Sequence, residues 1–105
     1  MDDPRRARIL TAAQDVFARE GFRTAEVKTI AEQAAVGKAT IYKFFSSKEA
    51  LLLTIVEENL NDIRDIILSA LMSVEPPLER LENLCRNVAR YLEQNQAFSR
   101  VLIQE

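Results

Sequence analysis

The stretch from Val27 to Glu49, VKTIAEQAAVGKATIYKFFSSKE, leaves this chain few folds to choose from. Val27, Ile30, Ala31 and Ala34 recur at the spacing i, i+3, i+4, i+7 that marks one face of a helix. Ala35, Val36 and Gly37 interrupt the run. Lys38 to Phe45 then supplies about two more turns, with Ile41, Phe44 and Phe45 able to point inward. Two short helices joined at a sharp angle by a tight turn make a helix-turn-helix, whose second helix can enter the DNA major groove.

The flanking chain is helical in pattern as well, so the expected fold is all-α: a three-helix head, a long connecting helix and further antiparallel helices. Asp3 and Pro4 open a first helix over residues 4–20, with Ile9, Ala12, Ala13, Val16 and Phe17 on one face. Gly21 is expected to close it in a left-handed conformation, and Phe22 to pack back on it. Arg5, Arg6 and Arg8 read equally well as a basic arm beside phosphates and as a solvated terminus. Ser46 and Glu49 satisfy a Ser-x-x-Glu capping box, with Ser47 as the alternative cap. A long helix follows to about residue 73, tracing an apolar face through Leu51, Leu52, Ile55, Val56, Leu60, Ile63, Ile67, Ala70 and Leu71. At ~1.5 Å per residue it is on the order of 40 Å long, more than a three-helix head can cover. Glu75-Pro76-Pro77 breaks it. A fifth helix over residues 77–94 places Leu78, Leu81, Leu84, Cys85, Val88, Tyr91 and Leu92 inward, with Cys85 read as a small core residue and Tyr91 as core or interface. A sixth begins near Phe98.

Charge is polarised along the chain. Residues 1–48 hold nine Lys and Arg against six Asp and Glu, and residues 49–105 hold five against ten. The basic end coincides with the helix-turn-helix, as a phosphate-facing surface requires, although ordinary surface charge gives the same count. Histidine is absent and cysteine occurs once. That argues against a zinc site, an internal disulfide and His-based catalysis, so neither a metal nor a cofactor is expected. No phosphate-binding loop or evident carboxylate pair suggests an enzyme. The sequence has no apolar run long enough for a membrane span and no evident leader, and the expected location is the cytoplasm.

The run IAEQAAVGKATIYKFFSSKEALL resembles the DNA-binding segment of the TetR family of bacterial transcriptional regulators. Ile30, Ala31, Val36, Thr40, Tyr42, Phe45, Ser47, Lys48, Glu49 and Leu51 fit that family's pattern. Ala35 and Gly37 depart from it, standing where Gly and Ser are usual, and Ala39 stands where Gly is common. Either position 35 needs less positive φ here, or Gly37 takes that role. Ala25 and Glu26 occupy places where the family often has Thr followed by a hydroxyl residue, so that phosphate contact is not carried over.

The resemblance implies a sequence-specific regulator of double-stranded operator DNA, a repressor released by a small-molecule effector and a homodimer when intact. It divides the chain into a DNA-binding domain over residues 1–47 and the start of a helical effector-binding and dimerisation domain over 48–105. That second part is expected to lack a complete effector pocket and to leave apolar surface on the fourth and fifth helices open to self-association. Thr40 and Tyr42 match the family's phosphate-binding Thr and groove-facing Tyr, and Lys48 its phosphate-binding lysine. The residues themselves add Lys28 and Thr29 on the second helix and, on the recognition helix, Lys38 for a guanine edge or phosphate, Ala39 for a thymine methyl, and Lys43. Solvated lysines and a core tyrosine are the plain alternatives. A helical protein-interaction module that has lost DNA binding is the alternative function.

Overall fold

The computed structural model describes residues 3–104. It consists of α1 (Pro4–Glu20), α2 (Val27–Ala34), α3 (Lys38–Phe44), α4 (Lys48–Leu71), α5 (Pro77–Gln94) and α6 (Gln96–Gln104), with no strand among the described residues. The all-α expectation holds.

The caps follow from the sequence at some ends and not at others. Asp3 caps α1, its Oδ1 accepting from the Arg5 amide at 2.9 Å, with Pro4 in the first turn. Gly21 ends α1 at φ 83°, ψ 147°, so φ is positive as expected, but the backbone is extended rather than left-handed helical. That region is close to glycine-only. Phe22 turns back so that its ring meets Phe17 edge-on at 5.2 Å. Ser47, not Ser46, caps α4: its Oγ accepts from the Ala50 amide at 3.1 Å, and Glu49 falls within the first turn.

The turn of the helix-turn-helix settles the role of position 35. Ala35 is left-handed at φ 60°, ψ 44°, whereas Gly37 has φ −82° and is the N-cap of α3. The Ala35 amide donates to Glu32 O at 3.2 Å and the Val36 amide to Ala31 O at 3.0 Å, the two bonds of a Schellman closure. A Cβ in this conformation is strained. Ala35 is exposed, so glycine there removes strain without losing packing. We expect Ala35→Gly to stabilise the chain by about 1 kcal/mol and raise Tm by several degrees. A lower Tm in a thermal melt would refute the assignment.

Ile9, Val16, Phe17, Ile30, Ile41, Leu51, Ile55 and Phe98 are fully buried in one cluster. It draws on α1, α2 and α3, on the first turns of α4, and on α6, which lies against α1. The core therefore runs through the expected division at 47/48. Three short helices have too little apolar surface to close a core alone, and Leu51, Ile55 and Phe98 complete it.

Beyond that cluster the expected inward faces are largely uncovered. On α4 the buried residues are Leu51, Ile55, Asn59 and, near its end, Ala70, while Leu60, Ile67 and Leu71 are exposed. Asn59 is 5% exposed, yet each of its side-chain polar atoms has a partner: Nδ2 donates to Ile55 O at 2.7 Å, and Oδ1 accepts from the Tyr91 hydroxyl at 2.6 Å. Burial, then the hydrogen bond and charge of Asp62, 3.0 Å from that hydroxyl, push the Tyr91 pKa up to about 12. Tyr91 thus joins α5 to α4. None of the seven expected inward residues of α5 is buried; Leu78 and Leu81 are exposed, and so is Cys85, contrary to its reading as core. The reason is coverage: among the described residues α5 packs along α4 and touches α6, and these contacts leave its other side open.

Candidate nucleic-acid interface

The first turns of α2, α3 and α4 border one cleft of ≈ 440 Å³. Glu26 and Lys28 line it from α2, Lys38 and Tyr42 from α3, and Ser47, Lys48 and Glu49 from α4. Four of the expected site residues, Lys28, Lys38, Tyr42 and Lys48, are therefore brought together. Thr29, Ala39, Thr40 and Lys43 lie outside its lining; Ala39 and Lys43 are exposed, and Thr29 and Thr40 half-buried.

Tyr42 is 49% exposed. The alternative in which it is a core aromatic does not hold, because Ile41 and Phe45 occupy the core side of α3 and Phe44 packs beside them. Lys38 and Tyr42 stand one turn apart on the same outer side, as i and i+4 must.

Which cations are committed inside the fold is decisive. Arg5 holds Asp3 at 2.8 Å, Arg6 reaches Glu58 on α4 at 3.1 Å, and Arg8 donates to Ala34 O at 3.3 Å, closing the end of α2. Arg5 and Arg6 also lie over the rings of Phe44 and Phe45, at 5.7 and 5.6 Å. The three arginines are thus neither a free arm nor merely solvated; they tie α1 to its neighbours. Arg5 holds the Asp3 carboxyl down at a pKa of about 2 by side-chain and backbone hydrogen bonds. Arg19 pairs with Asp15, which also accepts from Gln33 of α2 at 2.9 Å. In contrast, the side chains of Lys28, Lys38 and Lys43 are exposed and have no hydrogen bond or ion pair among the described residues. Arg23, in the loop before α2, is exposed and unpaired in the same way; sequence reading passed over it, although its place beside the helix-turn-helix was a usable signal.

Lys48 differs from the expectation of an ammonium turned toward phosphate. Its Nζ donates to the carbonyls of Phe22, Arg23 and Ala25 at 2.7, 3.2 and 3.1 Å and lies 4.6 Å from the centroid of the Phe22 ring. Glu26, at the N-cap of α2 without a side-chain cap bond, and Glu49 bring negative charge to the same cleft.

A short helix that turns unpaired lysines and a tyrosine outward, braced by a second helix across a tight turn, defines a helix-turn-helix protein. Residues 9–55 match the family described as "Bacterial regulatory proteins, tetR family". The transcriptional regulator UidR of Escherichia coli is 43% identical over 53 residues, which are 50% of this chain and 27% of that protein. The transcriptional activator FasR of Mycolicibacterium smegmatis is 33% identical over 79 residues, 75% of this chain and 36% of that one. The solved structure of the fatty acid degradation regulator FadR from Bacillus halodurans superposes with a TM-score of 0.88 at 28% identity, covering 97% of this chain and 54% of that one. Residues 9–55 of this chain carry the TetR-family segment. The chain spans about half the length of that solved relative and 27–36% of these two curated ones.

Proposed function

We propose that this chain is the DNA-reading part of a transcriptional regulator, binding double-stranded operator DNA with α3 in the major groove. The observation that carries the reading is the division of cations: those of α1 and Lys48 are committed within the fold, whereas Lys28, Lys38 and Lys43 stand free around Tyr42. In this reading Lys38, Ala39 and Tyr42 face base edges, and Lys28, Thr29, Thr40 and Lys43 meet the phosphate backbone. The reading head is α1 to α3 together with the first turns of α4 and Phe98 of α6, which share its core, and the rest of α4 with α5 begins the body. No catalytic role is assigned to any residue.

The intact protein is proposed to be a homodimeric repressor released by a small molecule. An apolar cleft of ≈ 240 Å³ between the end of α4 and the start of α5, lined by Leu71, Pro77, Leu81 and Leu84 with Arg80 beside them, suits an apolar effector better than a charged one. The exposed Leu60, Leu71, Leu78 and Leu81 favour the second reading, an interaction module, in which that face recruits a protein and the head no longer reads DNA.

Selection of the 105-residue chain on a randomised duplex library separates the two. We expect enrichment of a defined sequence whose binding weakens steeply with salt. A folded helical chain that enriches nothing would abandon the DNA-binding reading for the interaction module. A two-fold symmetric site would show that two heads act together, and a single half-site that one head reads alone.

A further inference from the structure

Glu26 breaks a local preference that its surroundings do not repair. It is the N-cap of α2, where Ser, Thr, Asp or Asn would bond a free amide of the first turn, and its longer side chain makes no cap bond. Its carboxylate is exposed and has no hydrogen bond or ion pair among the described residues, although Lys28, Lys38 and Lys48 line the same cleft. The other acid of the cleft, Glu49, has a use inside the fold. It follows Lys48 in the first turn of α4, where a carboxylate favours the free amides of a helix already capped by Ser47. A residue that breaks a local preference with no gain inside the fold points to function.

The first helix of a helix-turn-helix crosses the DNA backbone while the second lies in the groove. The start of α2 borders the cleft that Lys38 and Tyr42 of α3 line, so with α3 in the groove it comes up to phosphate. Glu26 puts a negative charge at that end, and the charge stays there whichever way the side chain turns. We propose that Glu26 is an electrostatic anti-determinant of DNA binding: its carboxylate opposes the nearest phosphate and lowers affinity for every duplex, below the level that the free Lys28, Lys38, Lys43 and Arg23 would give. The proposal rests on the DNA-binding reading above. Nonspecific affinity is essentially all electrostatic. An acid set among these cations therefore weakens the hold on unselected duplex, and base contacts must supply more of the binding.

The test is titration of a duplex selected on the wild-type chain, and of a scrambled one, with Glu26→Gln, Glu26→Asp and Glu79→Gln at several salt concentrations. Glu26→Gln removes the charge and keeps the shape. It is expected to tighten binding to both duplexes by roughly three- to tenfold at low salt, the repulsion of two unit charges a few ångströms apart near water. The gain should shrink as salt rises, because exposed charges are screened. Glu26→Asp keeps the charge and can cap α2, so it is expected to raise Tm and leave affinity at the wild-type level. Glu79→Gln makes the same change of net charge at the start of α5, outside the cleft, and is expected to bind as wild type does. Wild-type affinity in Glu26→Gln overturns the proposal. So does a loss confined to one base position, which would make the carboxylate an acceptor from a cytosine amino group. An equal gain in Glu26→Asp would trace the effect to the cap, and an equal gain in Glu79→Gln to net charge; either overturns it. If neither the wild type nor Glu26→Gln binds any duplex, the functional reading itself falls and the proposal with it, a result distinct from all of these.

Discussion

Replacing Phe98 with alanine is expected to destabilise the whole chain by about 3–5 kcal/mol, the cost of removing a fully buried aromatic ring that its surroundings cannot collapse to refill. Phe98 belongs to α6, far along the sequence from the helix-turn-helix, yet it is 0% exposed and shares one buried cluster with Ile9, Val16, Phe17 and Ile30. Val101, one turn on, packs half-buried beside that cluster. The cavity would be bounded by helices that the rest of the core holds apart, α1 on one side and α4 and α5 around it, which limits relaxation. Domains of this size have stabilities of roughly 5–15 kcal/mol, so the loss is a large part of the total. In urea the midpoint should fall sharply while the m-value stays near wild type, because the surface exposed on unfolding barely changes. A loss below about 1 kcal/mol would mean that α6 is not part of the head's core. The prediction has a functional edge: if α6 closes the head, anything that moves α5 and α6 acts on the packing of α1 before it reaches α3.

How far the sequence reaches is clear from particular residues. The helix-turn-helix is legible because its signal is local: apolar spacing within α2 and α3, a break at Ala35–Gly37 and a capping serine before α4. The limits of α1 and the start of α5 follow from Asp3-Pro4, Gly21 and Pro76-Pro77 for the same reason. What was not legible depends on partners remote in sequence. Periodicity says which residues of α5 share a face, but not that nothing covers Leu78, Leu81 and Cys85. Asn59 interrupts an apolar stripe, and only its pairing with Tyr91, 32 residues on, makes its burial tolerable. Arg6 finds Glu58 across 52 residues. Lys48 binds backbone carbonyls, groups that every residue carries and no motif encodes. At the candidate site the outward spacing of Lys38 and Tyr42 was therefore readable, whereas the separation of free cations from committed ones needed the fold.

That separation makes Lys38 the sharpest test of base reading. Lys38 is the first residue of α3, the end of a recognition helix that faces base edges, and it lines the cleft with Tyr42. Its side chain is exposed and has no partner among the described residues, so Lys38→Ala orphans nothing and should leave stability within about 0.5 kcal/mol of wild type. Any loss of binding then belongs to the DNA contact. We expect the variant to bind the selected duplex more weakly by about 1–3 kcal/mol, roughly 5- to 150-fold, and to become indifferent to the base at one position of the site. On a scrambled duplex at the same salt the loss should be far smaller. Lys43, in the last turn of α3 and outside the cleft, supplies the contrast. Lys43→Ala should weaken both duplexes alike and flatten the salt dependence, as removal of a backbone contact does. If Lys38→Ala behaves as Lys43→Ala does, Lys38 only holds the phosphate, and sequence choice falls to Tyr42, to Ala39 against a thymine methyl, and to the shape of the groove itself.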